Sequence, residues 1–131
     1  MIEYHGWIVV RESFDEKGED DEKLHDLFRQ VQNKIQSLHK ENEFYDLRYL
    51  NGTLHLSIQG NHNHRDEQLL DFYKWVAQNA IGSYGLLYVY DEEDRQRENG
   101  NKFKVWRMKK GQVDELDDVY LSPYFPTVEE M

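Results

Sequence analysis

Asn51-Gly52 stands between two stretches, 44–50 and 53–59, that each read as a strand. An Asn-Gly pair accepts the positive φ that a two-residue hairpin turn needs at both central positions, so the two strands are antiparallel neighbours. In the second, Leu54, Leu56 and Ile58 alternate with Thr53, His55, Ser57 and Gln59, which gives one apolar face and one polar face. The chain therefore has to build a sheet with one face covered, and to find the cover elsewhere in itself.

Helices on either side of the hairpin supply it. Leu24, Leu27, Phe28, Val31, Ile35 and Leu38 fall on one helical stripe, with acids in the first turn and His39-Lys40 at the end, as the helix dipole favours. A second helix is predicted from Asp66 to Ala80, with Leu69, Phe72, Tyr73, Val76 and Ala80 inward and Gly82 just past its C-terminal cap. Gly60 to His64 reads as the loop between hairpin and helix. Tyr4 to Ser13, with the run Trp7-Ile8-Val9-Val10, and Tyr84 to Tyr90 read as strands apolar on both faces. Lys102 to Lys109 is the last predicted strand, with Phe103, Val105 and Arg107 on one face and Trp106 and Met108 on the other. Lys110-Gly111 turns the chain into an acidic link and a proline-bearing tail.

The order β-α-β-β-α-β-β predicts an α+β fold: a single antiparallel sheet of about five strands with two helices on one face. Its first six elements follow the ferredoxin-like plan, with right-handed crossovers giving strand order 4-1-3-2 and the added C-terminal strand lying beside the fourth. At 131 residues, positions 1–131 make one domain. The tail, 120–131, carries Tyr120, Leu121, Tyr124 and Phe125 and is expected to lie across the sheet face that the helices leave open.

Twenty-six acidic residues against sixteen basic ones leave a formal charge of -10. Nucleic acid and anionic membrane are excluded as partners by that sign, whereas a basic protein is attracted and steered. The chain has no cysteine, hence no disulfide or thiolate chemistry. No apolar stretch approaches membrane-spanning length and the N-terminus has no signal-peptide pattern, so the expected address is the cytoplasm. No Ser or Lys stands with a base as a nucleophile, and the glycines form no phosphate-cradling motif. Neither catalysis nor a cofactor is expected.

The topology brings His5, the His62/His64 loop and Asp91 to Asp94 to one end of the sheet. Three histidines with carboxylates are suitable zinc ligands, so one alternative is a small metal-dependent hydrolase using His5, His62 and His64. A small-molecule-binding ferredoxin-like module is another, and would need an apolar pocket. The favoured reading is a binding surface in which Asp91, Glu92, Glu93 and Asp94 steer a basic macromolecule and Tyr4, His5 and Trp106 anchor it. Acidic clusters of this kind, repeated at Asp15–Glu22 and Asp114–Asp118, resemble what a nuclease's basic cleft meets in a phosphate backbone.

The chain also resembles a family, immunity protein 7 of bacterial polymorphic-toxin systems. The matching pieces are His5-Gly6-Trp7-Ile8, Asn61-His62, Ser83-Tyr84-Gly85-Leu86-Leu87-Tyr88, Asp91-Glu92-Glu93-Asp94, Phe103-Lys104-Val105-Trp106 and Leu121-Ser122-Pro123 with Pro126. Asp118-Val119-Tyr120 departs from the Asp-Pro-aromatic pattern, which touches the tail geometry. The resemblance implies a small cytosolic protein that binds and neutralises a cognate toxin domain and has no enzyme activity. It supplies no catalytic residues.

Overall fold

The computed structural model describes residues 1–15, 20–65, 67–94 and 99–130. Six antiparallel strands form one sheet: β1 (Ile2–Val10), β2 (Glu43–Leu50), β3 (Thr53–His62), β4 (Tyr84–Asp91), β5 (Phe103–Lys109) and β6 (Gln112–Asp117). They lie in the order β2-β3-β1-β4-β5-β6, which is the predicted arrangement with one further strand at its edge. The helices are α1 (Asp21–Gln36), α2 (Glu67–Asn79) and a short segment α3 (Tyr124–Thr127) that is interrupted by an extended backbone at Phe125.

Register sorts the side chains. Tyr4 pairs with Gly60 on one side and Val89 on the other, and Ile8 with Leu56 and Gly85, so these residues share a face. That face carries Ile2, Tyr4, Ile8 and Val10, then Leu54, Leu56 and Ile58, then Leu87 and Val89, then Trp106 and Met108, all in one buried cluster. Leu24, Leu27, Val31 and Ile35 of α1 and Leu69, Leu70, Phe72, Tyr73, Val76 and Ala77 of α2 close over it. The stripe read from the sequence thus faces the sheet as expected. Asp20 caps α1, its carboxylate accepting the N–H groups of Glu22 at 2.9 Å and Lys23 at 3.3 Å. Buried Tyr73 donates its hydroxyl to the Trp106 carbonyl at 2.7 Å and ties α2 to β5.

Three expectations change. β3 runs on to His62, so Gly60 to His62 is strand, not loop. A Cβ at Gly60 would sit 3.3 Å from the Tyr4 ring, a tight contact. Gly82 does not end α2 through a left-handed backbone; it lies where a Cβ would be 2.1 Å from the carbonyl carbon of Ser13. Most consequentially, the acidic link after Lys110-Gly111 is β6. Lys110 and Gly111 have φ of 50° and 75°, close to the 51° and 78° of Asn51 and Gly52, so a second tight hairpin turn returns the chain along β5.

Candidate interaction surfaces

The sheet leaves two features to build a site from: a charged end, where β1 begins, and the face opposite the helices. At the charged end Ile2 pairs with both His62 and Asp91, so the predicted gathering of the histidine segment and the acidic run does occur. The individual side chains then separate by their roles. Asp91 is 8 % exposed and structural: it takes the Glu93 N–H at 2.9 Å and faces the Arg65 guanidinium at 3.4 Å. Glu92 is exposed and pairs with the N-terminal ammonium of Met1. Glu93 is exposed with His64 at 3.1 Å, and Asp94 is half-buried.

Further carboxylates join them that sequence reasoning left aside. Burial raises the Tyr90 hydroxyl pKa, and Glu92, Glu3 and Glu129 raise it further. Tyr124 is raised in the same sense by desolvation, by its hydrogen bond to Glu129, and by Glu3 and Glu92. Three acids from the start of β1, the end of β4 and the C-terminal segment therefore surround one stacked pair of tyrosine rings, 4.4 Å between centroids. Glu92 was among the residues read from the sequence, whereas Glu3 and Glu129 were not, standing 89 and 37 positions from it in the chain.

The three histidines do not converge. His5 lies on the open face with its Nδ1 2.7 Å from Gln59. One residue parity away, His62 points under the helices to the fully buried Glu43 carboxylate at 2.9 Å. His64 is on Glu93. Among the described residues no group of three or more His, Asp or Glu is placed to hold a metal ion. His5, His62 and His64 instead each face a different partner, Gln59, Glu43 and Glu93.

Two predicted anchors lie in the core. Tyr4 is 0 % exposed, on the helix-covered face beside His62. Trp106 is 7 % exposed beneath α2, with the Lys74 ammonium 5.1 Å from its ring. Neither ring offers a surface to a partner. Two exposed aromatics of the central strands have the opposite parity: Trp7 and Tyr84, each 44 % exposed and edge-to-face at 6.1 Å, stand on the open face. Leu86 and Tyr88, half-buried, and His5 and Leu116, exposed, continue this patch by register.

The C-terminal segment covers one end of the same face. Tyr124 lies on Tyr90 and near Phe103, at 4.4 Å and 6.3 Å. Buried Asp118 holds the preceding bend, accepting from the N–H groups of Tyr120 and Leu121 at 3.0 Å and 2.8 Å and from the Ser122 hydroxyl at 3.0 Å. Ser122 in turn accepts the Phe103 N–H at 2.9 Å. Asn101 makes two bonds with the Phe125 backbone, at 2.8 Å and 3.2 Å.

An open antiparallel sheet backed by helices on one face places the chain in the α+β class. The family model described as Immunity protein 7 matches residues 1–130, so the chain belongs to that family, the immunity proteins of toxin–immunity systems. The comparisons with curated proteins and with solved structures found no match. Among the described residues no helix is long and apolar enough to cross a membrane.

Proposed function

We propose that this chain neutralises a basic toxin domain, a nuclease in the first instance, by stoichiometric occlusion in the cytoplasm and without chemistry of its own. The family supports the toxin partner. The observation that supports its charge is the acidic end of the sheet, where Glu3, Glu92, Glu93 and Glu129 gather on a protein whose net charge is already -10. A potential of that sign repels a nucleic-acid backbone and attracts the cleft that binds one. Protection by occupancy requires dissociation constants on the order of nanomolar or tighter.

Acids at the rim act chiefly on approach. Steered pairs associate at up to ~10⁸–10⁹ M⁻¹s⁻¹ at low salt, against ~10⁵–10⁶ M⁻¹s⁻¹ without steering. The test is co-expression with candidate toxin domains encoded in the same genome, neighbouring reading frames first, together with association kinetics over a salt series. Cells making the toxin domain should survive only when this chain is made as well, and association should slow steeply as the Debye length shrinks below ~8 Å. Death despite abundant immunity protein refutes the function. Survival with a salt-insensitive association rate refutes the basic target alone.

A further inference from the structure

We infer that the uncovered face of the sheet, centred on Trp7 and Tyr84, is the surface that grips the toxin domain, while the acidic end of β1 orients it. This inference rests on the function proposed above and assigns that function a place on the molecule.

Two aromatic rings left 44 % exposed on the two central strands are costly to keep in water. The sheet has other ways to fill that face, because the C-terminal segment already covers Tyr90 and Phe103, and it stops short of Trp7. The bare patch is framed by polar groups: Arg48 with Asp46 at 2.8 Å on β2 and Arg107 with Asp114 at 3.2 Å on β5 and β6. An apolar centre within a polar rim is the anatomy of an interface.

Size agrees. Six strands about 4.8 Å apart span roughly 24 Å, and strands of this length give the whole face a footprint of roughly 600 Å², of which the C-terminal segment takes one end. A standard interface buries about 800 Å² on each partner, so the bare part supplies the centre of one and the neighbouring acidic end adds to it. Charge decides the occupant. A second copy of the chain would bring another -10 against the first, whereas a basic domain would meet Glu3, four residues along β1 from Trp7 on the same face, with Glu92 and Glu129 at that end of the sheet. The groove between α1 and α2 is the poorer candidate, because Lys34 and Lys74 flank its aromatic lining.

The experiment measures binding of the full chain to the purified toxin domain identified by co-expression, by surface-immobilised kinetics, for wild type, Trp7→Ala, Tyr84→Arg and Gln78→Ala. Trp7→Ala should weaken binding at least about tenfold and Tyr84→Arg by more, almost wholly through faster dissociation, with association within about threefold. Gln78→Ala, on the exposed side of α2, should bind as wild type does. Circular dichroism checks each fold, and Tyr84→Arg, at the end of its strand, carries the test if Trp7→Ala does not fold. Unchanged dissociation by a folded face variant, with wild type binding tightly, overturns the docking surface and leaves the proposed function standing. Absence of wild-type binding overturns both. A stable dimer of the isolated chain that Tyr84→Arg dissociates would assign the face to a second copy and overturn the toxin as its occupant.

Discussion

Asp118→Ala should unlatch the C-terminal segment. The Asp118 carboxylate is 5 % exposed and takes three hydrogen bonds, from Tyr120 N–H, Leu121 N–H and the Ser122 hydroxyl. Bonds to a charged acceptor contribute about 1.5–3 kcal/mol each, so their gross value is several kcal/mol. Much of that is recovered by water. Tyr120 and Leu121 are 79 % and 47 % exposed, and the freed N–H groups will hydrate. Ser122 keeps the Phe103 N–H at 2.9 Å, and the Asp118 N–H still reaches the Phe103 carbonyl at 3.1 Å. The net loss is therefore about 2–4 kcal/mol, a large share of the ~5–15 kcal/mol available to a small domain. At this chain length the melting temperature should fall by about 10 °C. Urea unfolding of wild type, Asp118→Ala and Asp118→Asn measures it, and the amide, which keeps one acceptor, should recover part of the loss. A change below ~0.5 kcal/mol for Asp118→Ala would mean that the latch contributes little and that the stacked rings alone hold the segment.

Glu92→Lys with Glu93→Lys takes the net charge from -10 to about -6, two units for each reversal, and should slow association with the toxin domain about tenfold or more at low salt. Both side chains are exposed, so melting should shift by only a few degrees, whereas Asp91→Lys buries an unpaired charge beside Arg65 and should destabilise severely; equal melting shifts for the two would contradict the division. Gly82→Ala places a methyl 2.1 Å from the Ser13 backbone and should cost about 2–4 kcal/mol by chemical denaturation, a negligible change showing that the loop yields freely. Tyr49, Tyr73, Tyr90 and Tyr124 have raised folded-state pKa values, chiefly through desolvation. Their contribution to stability is therefore complete below the ordinary tyrosine value near 10 and is lost as pH rises through the folded values. Tyrosinate absorbance should show part of its amplitude arising well above the ordinary value near 10; no such late amplitude with the fold intact would refute it.

Most of the architecture was legible because each element carried its own local signal. The α1 stripe, the Asn51-Gly52 turn and the two faces of β5 all survive in the structure as read. β6 was illegible for a physical reason. Its only apolar residues, Val113 and Leu116, fall on opposite faces, and Asp114, Glu115 and Asp117 look like solvated loop. What makes it a strand lies across the pair: Asp114 opposite Arg107, and Asp117 opposite Lys104 with Lys102 nearby. That hydrogen-bonded contact with Lys104, aided by both lysine charges, holds the Asp117 carboxyl below its usual value.

The site was less legible, although one signal was present. Tyr4 shares parity with Ile2, Ile8 and Val10 and so belongs inside, while Trp7 has the other parity and belongs outside. Reading parity from β1 separates the buried ring from the exposed one. Trp106 follows from its match with Leu87 across β4 and β5. The cluster of Glu3, Glu92 and Glu129 had no comparable signal, because only the folded C-terminal segment brings Glu129 to the start of β1.

The proposed neutralisation by occupancy is tested most directly by titrating the toxin domain's activity, assayed first on nucleic acid, with this chain, at toxin concentrations well above the dissociation constant. Activity should fall linearly and reach zero at one immunity protein per toxin, and should return when the complex is separated in denaturant and the toxin refolded. Activity persisting at saturating excess, or abolished permanently by a small fraction of an equivalent, would contradict a protein that acts by sitting on its target.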